Sequence, residues 1–218
     1  MSDTPSRPDL ADSPKPLRAW AGEFGDAYTE RCAATPEQVQ GRAMVWAQVL
    51  ARLAGDPPRS VLEVGPNVGL NLRGLRAVSD LDLWAIEPNA SARETLLADD
   101  VLPASQLFAG FGHRIPAPDA CVDMAFTSGV LIHVDPTLLD QTMSEIHRVA
   151  AKYVFCAEYF SPRPETIRYR DEEGLLFKND FGGLYLDRFP DLELIDYGFF
   201  WKRTTVMDDT NWWLFRKK

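Results

Sequence analysis

From residue 60 onward, short apolar runs alternate with amphipathic stretches. The runs at 60–64, 81–86, 106–109, 122–127 and 153–158 have the length and the Val, Leu, Ile and Phe content of buried strands. Between them, 69–78, 90–98 and 136–150 read as helices, the last opened by Asp135-Pro136. Upstream, Thr35-Pro36-Glu37-Gln38 has the form of a capping box with proline in the first turn. Val39, Ala43, Trp46, Leu50 and Leu53 follow it as one apolar stripe that stops at Gly55. Strands that alternate with helices need crossover connections, which predicts a parallel sheet covered on both faces. Two longer strands at 192–201 and 210–216 have no helical run between them, so they should pair antiparallel at one edge. The expected architecture is α/β, with a seven-stranded, mostly parallel sheet and a C-terminal antiparallel β-hairpin.

Length and composition narrow this picture. The 218 residues suit one domain, preceded by a Pro-, Asp- and Ser-rich tail at 1–17 that should be mobile and a helical segment at 18–58, with 59–218 as the main domain. A net charge of -9 argues against a nucleic-acid partner, because neutralising phosphates needs a basic face. No apolar run approaches the ~20 residues of a membrane span, and the N-terminus has no signal core, so a cytoplasmic protein is expected. Cys32, Cys121 and Cys156 form no CxxC pair; Cys121 and Cys156 sit in apolar runs and should be buried. His113 and His147 read as surface positions, and no histidines share metal-ligand spacing, so no metal is expected.

The chemistry concentrates after the first strand. SVLEVGPNVGLNL places Glu63, Gly65, Asn67 and Gly69 on a strand–turn–helix, where open α/β sheets bind ligands. A phosphate loop would need Gly-Lys-Ser/Thr where Leu-Asn-Leu stands, and a dinucleotide loop would need glycines at 65, 67 and 70. The spacing instead suits a nucleoside with an amino-acid tail and no pyrophosphate; Asn67 replaces the middle glycine as the side chain that best tolerates a left-handed backbone. Glu87, followed by Pro88, ends the second strand 24 residues after Glu63, where a carboxylate can accept both hydroxyls of a ribose.

These two segments resemble motifs I and II of the class I S-adenosylmethionine (SAM)-dependent methyltransferases. Segments from Trp20-Ala-Gly-Glu-Phe to Asp208-Asp-Thr-Asn-Trp-Trp213 are further similar to the pseudaminic acid biosynthesis-associated methylase family, departing from its pattern at Cys32, Ser161 and near Thr204. The resemblance implies a Rossmann-like class I methyltransferase fold, SAM as cofactor, and methyl transfer to an oxygen or nitrogen of a small, sugar-derived or secondary metabolite. It also implies an alternative, since similar proteins cyclise SAM itself to azetidine-2-carboxylate or 1-aminocyclopropane-1-carboxylate and release methylthioadenosine. On this basis Gly110, Phe111 and Gly112 should lie near the adenine, with Ser128 and Gly129 flanking the cofactor. His133 and Glu158, at strand ends, are candidate proton acceptors, and Trp20 and Tyr28 candidate faces for the sulfonium cation. Arg31, Tyr159, Tyr169, Arg170 and Asp180 are candidate substrate or lid contacts.

Overall fold

The computed structural model describes residues 10–218. Three helices come first: α1 (Lys15–Ala21), α2 (Glu23–Arg31) and α3 (Pro36–Ala51). Alternation follows, through β1 (Ser60–Val64), α4 (Leu70–Val78), β2 (Asp82–Glu87), α5 (Ala90–Ala98), β3 (Leu107–Ala109), β4 (Val122–Ser128), α6 (Pro136–Val149) and β5 (Ala150–Glu158). The chain ends with β6 (Glu165–Tyr169), β7 (Glu172–Lys178), α7 (Phe181–Arg188), β8 (Leu192–Phe200) and β9 (Thr210–Lys217).

Seven strands form one sheet in the order β3-β2-β1-β4-β5-β9-β8, and β6 and β7 form a separate hairpin. The pairs from β3 to β5 are parallel, while β9 pairs antiparallel with both β5 and β8. The order of connection reverses between β1 and β4, which opens a crevice at the carboxyl ends of those strands. Both faces of the sheet are covered. Trp46, Leu72, Leu75, Leu96, Phe126 and Phe155 fill one side, and Leu62, Ile86, Met143, Ile146, Phe181 and Phe215 the other.

Helix α3 begins as its sequence dictates. Gln38 N–H donates to Thr35 Oγ1 at 3.3 Å and Thr35 N–H to Gln38 Oε1 at 3.4 Å, a reciprocal cap that stabilises by about 1 kcal/mol. Gly74 lets α4 lie against α3, because a Cβ there would come within 2.7 Å of Arg42 Cβ. This close approach fixes where the Arg42 side chain emerges.

Several expectations need correction. Of the tail expected at 1–17, residues 1–9 lie outside the described residues, but α1 begins at Lys15 and buries Pro16 and Leu17. Cys121 is exposed, because its run turns into β4 at the protein surface; Cys156, within β5, is buried. His113 and His147 are both partly covered, His113 stacked on Phe111 and His147 stacked on Phe189 and bonded to Asp191. The β6–β7 hairpin and α7 have no counterpart in the pattern of apolar positions. Among the described residues, no helix is long and apolar enough to cross a membrane.

Candidate active site

The turn after β1 is a left-handed cradle. Gly65, Asn67 and Gly69 have φ of 69°, 50° and 76°. A Cβ on Gly65 would meet Val130 at 2.9 Å, so glycine is required there by both space and conformation. Asn67 is held in its strained conformation from three directions. Its N–H donates to Glu87 Oε2 at 2.9 Å, its Oδ1 accepts from Thr29 Oγ1 at 3.1 Å, and its Nδ2 approaches Cys32 Sγ at 3.5 Å. Glu87 Oε1 accepts from Asn89 N–H at 2.8 Å. Burial pushes the Glu87 carboxyl above its ordinary range, against the pull of these two backbone donors.

Above this turn lies a cavity that opens to solvent. Glu63, Gly65, Pro66, Asn67, Glu87 and Pro88 line one side and Gly110, Phe111 and Gly112 another. Ser128, Gly129 and His133 close the far wall, and Trp20 and Tyr28 reach in from α1 and α2.

The mouth is aromatic. Trp20 packs edge-on against Phe24 (5.2 Å) and Tyr28 (5.3 Å) and lies 4.6 Å from the His133 ring. Tyr169, at the end of β6, lies 5.1 Å from His133 and 6.3 Å from Phe24. The guanidinium groups of Arg31 and Arg170 stand 5.9 and 6.0 Å from the Tyr28 ring, outside the cavity lining. Burial raises the Tyr28 hydroxyl far above its ordinary pKa, so it stays a neutral phenol.

His133 is fixed by the hairpin: its Nδ1 lies 2.6 Å from the Leu175 carbonyl oxygen. A carbonyl can only accept, so Nδ1 carries the proton and Nε2 is the basic nitrogen. Burial pushes the imidazole down to about 4, and the ring is neutral at physiological pH.

Glu158 has a different occupation. Its carboxylate accepts from the N–H groups of Val130, Leu131 and Ile132 at 3.2, 3.1 and 3.4 Å, tying down the turn that carries His133. It does not line the cavity; burial raises its carboxyl to about 7. Asp180 accepts from Gly183 N–H and caps α7. Tyr159 lines a second, shallower crevice with Lys178 and Asp208. Gly69 shapes the cradle without facing the cavity.

Thr29, Cys32, Arg42, Asn71, Asn89 and His113 also line the cavity, none of them a residue that the sequence alone assigns to the site. Arg42 had a legible signal, since it falls three residues after Val39 and four before Trp46, a charge on the apolar stripe of α3. Asn71 Nδ2 donates to Glu63 Oε1 at 2.7 Å, while Glu63 Oε2 is buried without a partner. Among the described residues, no group of three His, Cys, Asp or Glu side chains could hold a metal ion.

Comparison with known proteins agrees with this arrangement. No curated protein sequence matches the chain. In fold it is similar to a SAM-dependent methyltransferase of Leishmania major (14% identity, covering 94% of this chain and 87% of that one, TM-score 0.67). It is similar to the Burkholderia thailandensis 1,6-didemethyltoxoflavin-N1-methyltransferase with bound 1,6-didemethyltoxoflavin and S-adenosylhomocysteine (16%, 92% and 84%, 0.59). The magnesium protoporphyrin IX methyltransferase of Synechocystis PCC 6803, with bound SAM, is a third (12%, 92% and 94%, 0.60). Residues 62–156, which run from β1 to β5 and contain the glycine cradle and Glu87, match the methyltransferase domain family.

Proposed function

We propose that the protein transfers a methyl group from SAM to an oxygen or nitrogen of a small polar molecule. The carrying observation is the joining, in one cavity, of a phosphate-free glycine cradle, a buried carboxylate at the end of β2 and an aromatic mouth. Glu87 would accept the ribose hydroxyls, Gly110 to Gly112 would flank the base, and the Asn67 turn would bear on the amino-acid tail. When bound, SAM supplies an electrophilic methyl on a sulfonium that is already a good leaving group.

The chain's own part is positioning and proton management. Trp20 and Tyr28 would face the cation, at ~1–2 kcal/mol each, and exclude water. As the acceptor's oxygen or nitrogen bonds to the methyl carbon, the carbon–sulfur pair leaves with sulfur and the acceptor's proton passes to His133 Nε2. Glu158 would act as a positioning residue through the turn it holds. The hairpin residues Tyr169 and Arg170, with Arg31, would meet the acceptor at the mouth. The helical segment at 18–58 would serve as a lid.

The aromatic enclosure favours a second reading, in which SAM is the sole substrate. Its α-amine would attack its own γ-carbon, the Cγ–S pair would leave with sulfur, and methylthioadenosine, azetidine-2-carboxylate and a proton would result. Incubation with SAM alone, followed by mass spectrometry, separates the two. Methylthioadenosine above the no-enzyme rate establishes cyclisation. S-adenosylhomocysteine that forms only when an acceptor is supplied establishes transfer.

A further inference from the structure

One edge of the sheet is left open. Strand β8 pairs with β9 on its inner side, and among the described residues no strand pairs with its outer side. The opposite edge, β3, has three residues, whereas β8 has nine. A long unpaired edge is usually blunted by proline or lysine, and β8 carries neither. Its pairing with β9 is irregular between Leu194 and Asp196, so the regular part runs from Asp196 to Phe200 and is centred on Gly198. Beside this part the surface is aromatic. Tyr197, Phe199 and Trp201, at every second position, are 66%, 53% and 48% exposed, and Tyr197 stands beside Trp213 in register. Phe160, also exposed, lies 6.3 Å from the Trp213 ring and extends the patch towards the end of β5. Exposed apolar surface concentrated in this way marks a contact with another macromolecule.

We propose that β8 is the interface between two copies of this chain, paired antiparallel about Gly198 so that their sheets run on into one another. A two-fold contact has to be self-complementary, and the charges here are. Glu193 precedes Gly198 by five residues and Arg203 follows it by five. Both are exposed, and neither forms a salt bridge with a described residue. The Arg203 guanidinium lies 5.8 Å from the Trp201 ring, which places it at the end of the aromatic row. Pairing about Gly198 brings Glu193 of each copy towards the other's Arg203 and sets Tyr197 opposite Phe199 twice over. Aromatic pairs and opposite charges across the strands are the contacts that stabilise an antiparallel pair. The regular part of the strand is symmetric about the same glycine, so strand length and charge spacing select one register. The proposal holds whatever the cavity binds.

Sedimentation equilibrium of the full chain from about 1 to about 100 μM tests this, and the wild type should be mostly dimer at the upper end. Phe199→Lys, which puts a charge in the middle of the row, should weaken association about tenfold or more with far-ultraviolet circular dichroism unchanged. Glu193→Arg and Arg203→Glu should each weaken it about fivefold or more, because each reversal sets like charges together at two symmetric places. The double reversal should restore most of the loss. A wild-type chain that stays monomeric at about 100 μM overturns the inference, whether the face then serves another protein or is covered by residues 1–9. So does a dimer that Phe199→Lys leaves intact, since its interface would lie elsewhere. A loss that the double reversal fails to restore overturns the pairing about Gly198. The wild-type mass decides even where a variant does not fold.

Discussion

Burial acts in opposite directions on the titratable groups around the cavity, and this sets the protonation state in which each can work. Glu63 is pushed up to about 8, so in the free protein at pH 6.5 it is mostly a neutral acid. It lines the cavity with Oε2 buried and unpartnered, and if a ligand's ammonium pairs with that oxygen, the carboxylate form is required. Binding of S-adenosylhomocysteine at pH 6.5 should therefore release close to one proton, and affinity should rise up to about tenfold per pH unit until about pH 8. Calorimetry in two buffers of different ionisation enthalpy measures the release, and Glu63→Gln should abolish it. His133, held down at about 4, remains a neutral acceptor throughout this range. If it takes the acceptor's proton, His133→Gln should lower kcat about 10²–10⁴-fold while SAM affinity changes little; an unchanged kcat would remove it from the mechanism. Some of this was legible in the chain. Gly65, Asn67, Gly69 and Glu87 were, because a cradle and a strand end are local features. Glu158 was harder to place: an acid at a strand end can face the crevice or turn under the following loop, and only the three N–H groups of 130–132 decide it.

At the scale of elements, the placing of the N-terminal helices depends on parts far apart in sequence. Lys15 of α1 donates to Glu172 Oε2 at 2.8 Å and to the Glu173 carbonyl at 2.7 Å, both on β7. The same hairpin orients His133 through Leu175 and brings Tyr169 against Phe24. Lys15→Glu should therefore loosen α1 from the hairpin. Faster amide exchange over 15–21 with little change in global unfolding is expected, and unaltered exchange would mean that α1 is held by its buried face alone. The cradle responds differently. Gly69→Ala forces a side chain to φ 76° with Leu96 at 2.6 Å, at a cost of about 1–3 kcal/mol in chemical denaturation. Long strands and capped helices such as α3 and α6 can be read from periodicity, because each carries its own repeat. The hairpin cannot, since its strands are short, half-exposed and joined across a charged turn with Arg170 and Asp171 at positive φ. Its partner is α1, some 150 residues away, and no local pattern encodes that contact.

For the molecule as a whole, the site leaves a signature in how stability varies with pH. Glu63, Glu87 and Glu158 all have their pKa raised by burial, the first and last to about 8 and about 7 from 4.5. The native state then holds protons that the unfolded chain has released, so stability is full below about pH 4.5 and declines as pH rises through these values. All three histidines, His113, His133 and His147, are lowered from 6.5, and their stabilising effect is lost as pH falls below 6.5. Above about pH 7.5 the histidines are neutral in both states, and between there and pH 8 Glu63 is the raised carboxyl still ionising. The melting temperature of the ligand-free protein should fall across that window. Saturating S-adenosylhomocysteine should flatten the fall, because an ammonium on Glu63 restores what its ionisation costs. The stabilising increment from the ligand should thus be larger at pH 8 than at pH 6.5. Glu63→Gln should show a shallower fall without ligand and an increment that no longer grows with pH. An increment that stays constant from pH 6.5 to 8 in the wild type would mean that the ligand's ammonium is held elsewhere, and that Glu63 is buried for the fold alone.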